Sequence, residues 1–208
     1  MIGLPIEYKE NRRICIVCEG YEEKEYVDKL NSKAIFSEKY EILPINAKGI
    51  SNVFPVYQEK YQSNSYHLVL MFCDTDKVSR SEYLNIKKKI NEQYDNDVAD
   101  DLIIFGNPTT MQIILSHFRK VEITSQAKGS NRQLIEQLTG IENYDAKDEQ
   151  IKDLMQKINR KNYETMKQNL RDISTDDTQK PSTNILKFLD NLENDNTSWI
   201  DEINKKLV

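Results

Sequence analysis

Residues 67–76, HLVLMFCDTD, decide the fold. His67 to Cys73 make an almost unbroken apolar run of strand length, without the alternation of a strand that has one wet face. A run of this kind is buried on both sides, as in parallel sheets covered by helices. It stops at once on Asp74-Thr75-Asp76, so the strand delivers carboxylates to the edge of a sheet. Upstream, RICIVC (13–18) repeats the pattern and stops on Glu19-Gly20.

Between and after these strands the periodicity changes. EEKEYVDKLN (22–31) puts Tyr26, Val27 and Leu30 on one helical stripe, and EILPIN (41–46) reads as a second strand that ends near Lys48-Gly49. SNVFPVYQEKYQ (51–62) predicts a helix with Ser51 as its N-cap, Pro55 in the first turn, and Val53, Val56 and Tyr57 facing inward. A polar helix is expected from about Ser81 to Tyr94, with Tyr83, Leu84, Ile86 and Ile90 inward. DLIIFGNP (101–108) reads as a fourth strand and TTMQIILSHF (109–118) as a mostly buried helix. The order strand–helix, four times with short connections, implies an α/β fold built on a mainly parallel four-stranded, Rossmann-like sheet flanked by helices.

From about residue 125 the strand signal vanishes. NRQLIEQLTG, EQIKDLMQKINRKNYETMKQNL, STNILKFLDNL and TSWIDEINKKL all read as amphipathic helices, which predicts an α/β domain over 1–124 and a helical C-terminal elaboration over 125–208. No internal repeat is evident.

The bulk properties bound the rest. Apolar residues make up 38% of the chain and charged residues 30%, which still supports a core because the apolar residues are gathered into compact runs. No apolar stretch approaches membrane-span length, and MIGLPIEYKENRR lacks the features of a signal peptide, so a cytoplasmic protein is expected. Cys15, Cys18 and Cys73 lie within strand-like runs, and a strand turns residues three apart to opposite faces, so buried free thiols are expected rather than a zinc site. The net charge of −5 argues against an overall basic surface and leaves room for a local basic patch.

In an open parallel sheet, ligands bind outside the carboxyl ends of the strands, where Glu19 and the Asp74/Asp76 pair fall. Carboxylates gathered there repel unless a cation neutralises them, and hard oxygen ligands suit Mg²⁺ or Mn²⁺. The competing explanation for Asp74 or Asp76 alone is that each caps the next helix.

ICIVCEGYEEKEYVDKL and LVLMFCDTD together resemble a Toprim domain, with its apolar strand, Glu-Gly, helix with an early Glu, and Asp-x-Asp strand. The resemblance covers about residues 12–118. Within that group the chain is most similar to the small RloB-like and OLD-type Toprim nucleases of phage-defence loci, which also carry an Asn-Pro segment leading into a helix ending His-Phe, here GNPTTMQIILSHF. Those proteins usually have a Glu early in that helix where this chain has Met111. The resemblance implies a Mg²⁺- or Mn²⁺-dependent nuclease of RNA or DNA, acting in phage defence, with a partner protein from the same locus possible. It implies that Glu19 serves as general acid or base or as a metal ligand, that Asp74 and Asp76 hold the cation, and that Glu23 is a further metal ligand.

A nucleic-acid backbone also needs cations. Lys48 follows the second strand at the same edge, and Lys157, Arg160, Lys161 and Lys167 form a basic stretch that is as readily a solvated helix face as a phosphate grip. Glu82 suits a helix dipole and His117 a satisfied buried histidine. The alternative function, favoured by Met111, is a nucleic-acid-binding or signalling module with a degenerate site. A different phosphotransfer enzyme is disfavoured because no Gly-rich phosphate loop is present.

Overall fold

A computed structural model describes residues 11–75, 80–125 and 128–208 of the protein, with the side chains of 128–130 left out. The chain runs β1 (Arg12–Cys18), α1 (Tyr21–Ser32), β2 (Tyr40–Asn46), α2 (Ile50–Gln62), β3 (Leu68–Asp74), α3 (Arg80–Tyr94), α4 (Ala99–Leu102), β4 (Ile103–Asn107) and α5 (Met111–Ser116). It continues through α6 (Lys128–Thr139), α7 (Asp148–Gln156), α8 (Arg160–Leu170), β5 (Ser182–Thr183), α9 (Ile185–Glu193) and α10 (Ser198–Asn204). The strands form one five-stranded sheet in the order β2-β1-β3-β4-β5. All neighbours are parallel except β4 and β5, which pair antiparallel through Gly106–Thr183 and Asn107–Ser182.

The fold is therefore α/β with a mostly parallel sheet flanked by helices, as the apolar runs predict. The expected four strands become five. Ser182-Thr183 was expected to be helical, but a two-residue strand has no periodicity to read, and it is held by the backbone of β4. Its partner Asn184 donates to the Ile103 carbonyl and accepts from the Phe105 amide, clamping the segment to the sheet edge.

Smaller differences have physical causes. Asp101 and Leu102 belong to the helical turn α4 rather than to the strand, and Asp101 is held there by Lys187 at 2.7 Å and Lys206 at 2.6 Å. Gly49, not Ser51, is the N-cap of α2, so Pro55 lies inside the helix rather than in its first turn. Gly49 takes φ +122°, a backbone region that a side chain rarely tolerates. Leu84 points to solvent at 46% exposure, whereas Tyr83, Ile86 and Ile90 are buried as expected.

The sheet is a continuous layer of core, with Ile14–Cys18 and Leu68–Cys73 almost inaccessible. Tyr26 of α1 meets His117 beyond α5 on one face, while Tyr57 of α2 bonds Tyr94 of α3 at 2.7 Å on the other. The C-terminal elements share the same core, with Tyr163, Leu170, Phe188 and Trp199 buried in it. Cys15, Cys18 and Cys73 are free and buried. Burial pushes the Cys15 thiol up to about 12, so it is inert at neutral pH. Among the described residues no helix is long and apolar enough to cross a membrane.

Candidate functional site

The strand order reverses between β1 and β3. The chain leaves β1 for β2 on one side and then crosses to β3 on the other. At such a switch point the loops diverge and leave a crevice at the carboxyl ends. Glu19 leaves β1 there, and Asp74 is the last residue of β3.

Glu19 continues the ladder for one more step, its amide donating to the Phe72 carbonyl at 2.8 Å. Its carbonyl accepts from the Gly49 amide at 2.7 Å, which fixes the backbone beside β2. Its carboxylate crosses to β3 and accepts from the Asp74 amide at 3.0 Å. Asp74 Oδ1 in turn accepts from both the amide (2.6 Å) and the hydroxyl (2.7 Å) of Thr110. The buried Glu23, one turn into α1, accepts from the Gly20 amide at 3.0 Å, the return half of a capping box. Glu23 lies close enough that its charge acts on Asp74. Thus two strand ends bring Glu19 and Asp74 together, α1 adds Glu23, and Asp74 holds the start of α5.

Thr110 can reach Asp74 because β4 and α5 approach closely at Gly106. A Cβ on Gly106 would sit 2.7 Å from the Thr110 amide nitrogen and 2.8 Å from the Thr109 carbonyl carbon. Only glycine permits that approach without a backbone shift.

The carboxylates feel one another. Burial pushes the Asp74 carboxyl well above the usual range, and the charges of Glu23 and Glu19 push the same way against the Thr110 hydrogen bond. Burial also raises Glu23, opposed by hydrogen bonds from its own amide, Thr110 and Gly20. The buried Cys73 thiol is raised by burial first and then by Glu19, Glu23 and Asp74. The site is an acidic cluster whose ionised form is uncomfortable.

Among the described residues no group of three or more His, Cys, Asp or Glu side chains is arranged to hold a metal ion. Asp76, expected to be the second carboxylate of the Asp-x-Asp pair, lies outside the described residues. Lys48 is exposed at the carboxyl end of β2, next to the Gly49 amide that holds Glu19. Met111 is 5% exposed and opens α5. Glu82 is exposed in the first turn of α3.

The basic stretch is divided. Lys157 and Lys161 are exposed. Lys167 is held by Asp190 at 3.0 Å and Glu193 at 2.9 Å. Arg160 donates to the carbonyls of Lys33 and Ala34, at the far end of α1 from Glu19. A helix of that length spans roughly 18 Å, so Arg160 does not adjoin the acidic cluster. His117 is buried between Tyr26 (3.0 Å) and Asn162 (3.3 Å), and burial lowers it to about 4. Its Nδ1 donates to Asn162 Oδ1, which leaves Nε2 to accept from the Tyr26 hydroxyl.

Two contacts at this edge escaped the sequence. Thr110 is one, because a Thr before a helix reads as an ordinary cap. The other is the hydroxyl of the buried Tyr144, which donates to the Glu22 carboxylate and ties the C-terminal half to the start of α1. No protein family, curated protein or solved structure matches the chain.

Proposed function

We propose that the protein is a metal-dependent nuclease of the Toprim class, hydrolysing phosphodiesters of RNA or DNA in phage defence. The observation that supports this most is the meeting of Glu19 and Asp74 at the switch point of the sheet, with Glu23 near enough for its charge to act on Asp74. The donor set is hard oxygen, which fits Mg²⁺ or Mn²⁺, and mutual repulsion of the carboxylates gives a cation something to relieve. Asp74 would hold the cation with Asp76 and Glu23, and its Thr110 hydrogen bonds orient the carboxylate. A bound cation would steady negative charge on the phosphate. Glu19, on a rigid strand end, would act as general acid or base.

A second reading is favoured by Met111. Its buried thioether stands where the resembled proteins carry a Glu, and a site lacking that ligand suits a nucleic-acid-binding or signalling module. The two are separated by incubating the chain with Mn²⁺ or Mg²⁺ and a panel of tRNA, single-stranded DNA and plasmid. Cleavage that disappears with Asp74→Ala supports the nuclease. Binding without cleavage supports the module.

A further inference from the structure

At the same edge of the sheet as the acidic cluster lies a cavity of about 340 Å³, lined by Thr75, Arg80, Asn107, Asp177, Thr178 and Lys180. Its size falls within the range of about 300–1,000 Å³ usual for small-ligand sites. It opens at the carboxyl ends of β3 and β4, where the Thr75 amide donates to the Gly106 carbonyl at 3.0 Å. Thr75 directly follows Asp74, so the cavity and the acidic cluster share one edge of the sheet.

Two buried oxygens of its lining residues have no hydrogen-bond partner among the described residues: Thr75 Oγ1 and Asn107 Oδ1. The orientation of the Asn107 amide is fixed, because its two N–H groups donate to the carbonyls of Asp177 (2.8 Å) and Gln179. Flipping the amide would turn its oxygen against those carbonyls. Oδ1 is therefore an acceptor in need of a donor, and Thr75 offers a hydroxyl that can donate or accept. Buried polar atoms without partners are rare, and two among the residues lining one cavity point to a ligand.

The charged groups define the other half of that ligand. Arg80 is held in place by the Asp177 carbonyl at 2.8 Å and carboxylate at 2.9 Å, with its guanidinium over the Tyr83 ring at 5.4 Å. Lys180 stands exposed at the rim. Two cations against the single carboxylate of Asp177 leave the lining with a surplus of one positive charge. Lys87, at 2.8 Å from Asp177, neutralises that carboxylate further.

We propose that this cavity seats a ribonucleotide of a single RNA strand, with its phosphodiester on Lys180 and Arg80 and its ribose 2′-hydroxyl between Asn107 Oδ1 and Thr75 Oγ1. The proposal rests on the reading of the acidic cluster as a phosphodiester site and names its substrate class. A phosphodiester carries the one negative charge that the lining lacks. The 2′-hydroxyl both donates and accepts, as the two orphan oxygens require, and DNA does not have it. Neither oxygen is solvent-exposed, so the strand engages them when the unpartnered Thr75 side chain rotates, the Asn107 amide staying where its donors hold it.

The test uses the whole chain in EDTA and the fluorescence anisotropy of a labelled single-stranded oligoribonucleotide and its 2′-deoxy counterpart. The RNA strand should bind tighter by about five-fold, the worth of one net hydrogen bond. Thr75→Val removes an unpartnered hydroxyl, so it should leave thermal stability unchanged or higher while erasing most of the RNA preference. Thr75→Ser should keep it. Lys180→Gln should weaken both strands alike and lower the salt slope of binding by about one. Equal affinity for the two strands, a preference that survives Thr75→Val, or a salt slope unmoved by Lys180→Gln overturns the proposal. Cleavage plays no part in these measurements. RNA-selective binding without hydrolysis under Mn²⁺ removes the nuclease reading and leaves the subsite, whereas cleavage by a chain that binds both strands alike does the reverse.

Discussion

Replacing Asp74 by Asn removes one negative charge from the acidic cluster and keeps an oxygen that can accept from the Thr110 amide and hydroxyl. Glu19 reaches the Asp74 amide at 3.0 Å, so ordinary covalent geometry puts the two carboxyl groups roughly 6 Å apart. At an effective dielectric near 20, like charges at that separation repel by about 3 kcal/mol. Glu23 adds to the repulsion, while the raised carboxyls relieve part of it by holding protons. Against the gain stands the weakening of two charge-assisted hydrogen bonds to neutral ones, a loss of about 1 kcal/mol each. The net expectation is a metal-free Asp74→Asn protein more stable by about 1–3 kcal/mol at neutral pH, or roughly 2–12 °C in melting temperature for a chain of this length.

Differential scanning fluorimetry with and without Mg²⁺ or Mn²⁺ reads both halves of the expectation. A cation that binds the folded chain raises the melting point by mass action, about 2.7 kcal/mol at a hundred times its dissociation constant. Asp74→Asn should lose that increment. Asp74→Ala should lose it too and also be destabilised, because the Thr110 donors are then left without an acceptor at a cost of about 1–3 kcal/mol. An Asp74→Asn protein that melts lower than the parent and still responds to the cation would refute the repulsive site and reduce Asp74 to a structural clamp on α5. The pH sign follows as well. Asp74 and Glu23 have raised folded pKa values, so they contribute stability at low pH that is lost as pH rises through those values, and Asp74→Asn should flatten that slope.

Other perturbations test separate parts of the fold. Gly106→Ala forces a Cβ against the Thr110 backbone and should cost about 1–3 kcal/mol in urea denaturation; an unchanged midpoint would mean that β4 and α5 do not approach as described. Asp177 binds Arg80, Lys87 and the Tyr83 hydroxyl, so Asp177→Ala should destabilise by about 2–4 kcal/mol, and an effect under 1 kcal/mol would show a slack network. For His117, whose folded pKa is lowered to about 4, stability is present above the ordinary value of 6.5 and lost as pH falls toward 4. The stability advantage of the parent over His117→Gln should therefore shrink between pH 6.5 and 4, and a constant difference would place the imidazole in contact with water.

The central strands β1 and β3 were legible because burial on both faces leaves an unbroken apolar run, and the carboxylates were legible because both of those runs stop on an acid. Parallel order then puts Glu19 and Asp74 at the same edge without any knowledge of coordinates. What the sequence hides is pairing over long separations. Lys167 looks like a free cation in a basic stretch until Asp190 and Glu193 close on it, and Arg160 until it reaches the end of α1. Composition counts charges and cannot say which are already matched. The same holds for the orphan oxygens. Asn107 sits in a quoted Asn-Pro segment, yet its importance appears only when residues 177–182 fold over β4 and use up its amide donors, leaving the oxygen facing a cavity. The acidic half of the site is therefore a property of strand ends, readable from local pattern. The half that would select a substrate arises where the C-terminal segment meets the sheet, and no local pattern encodes it.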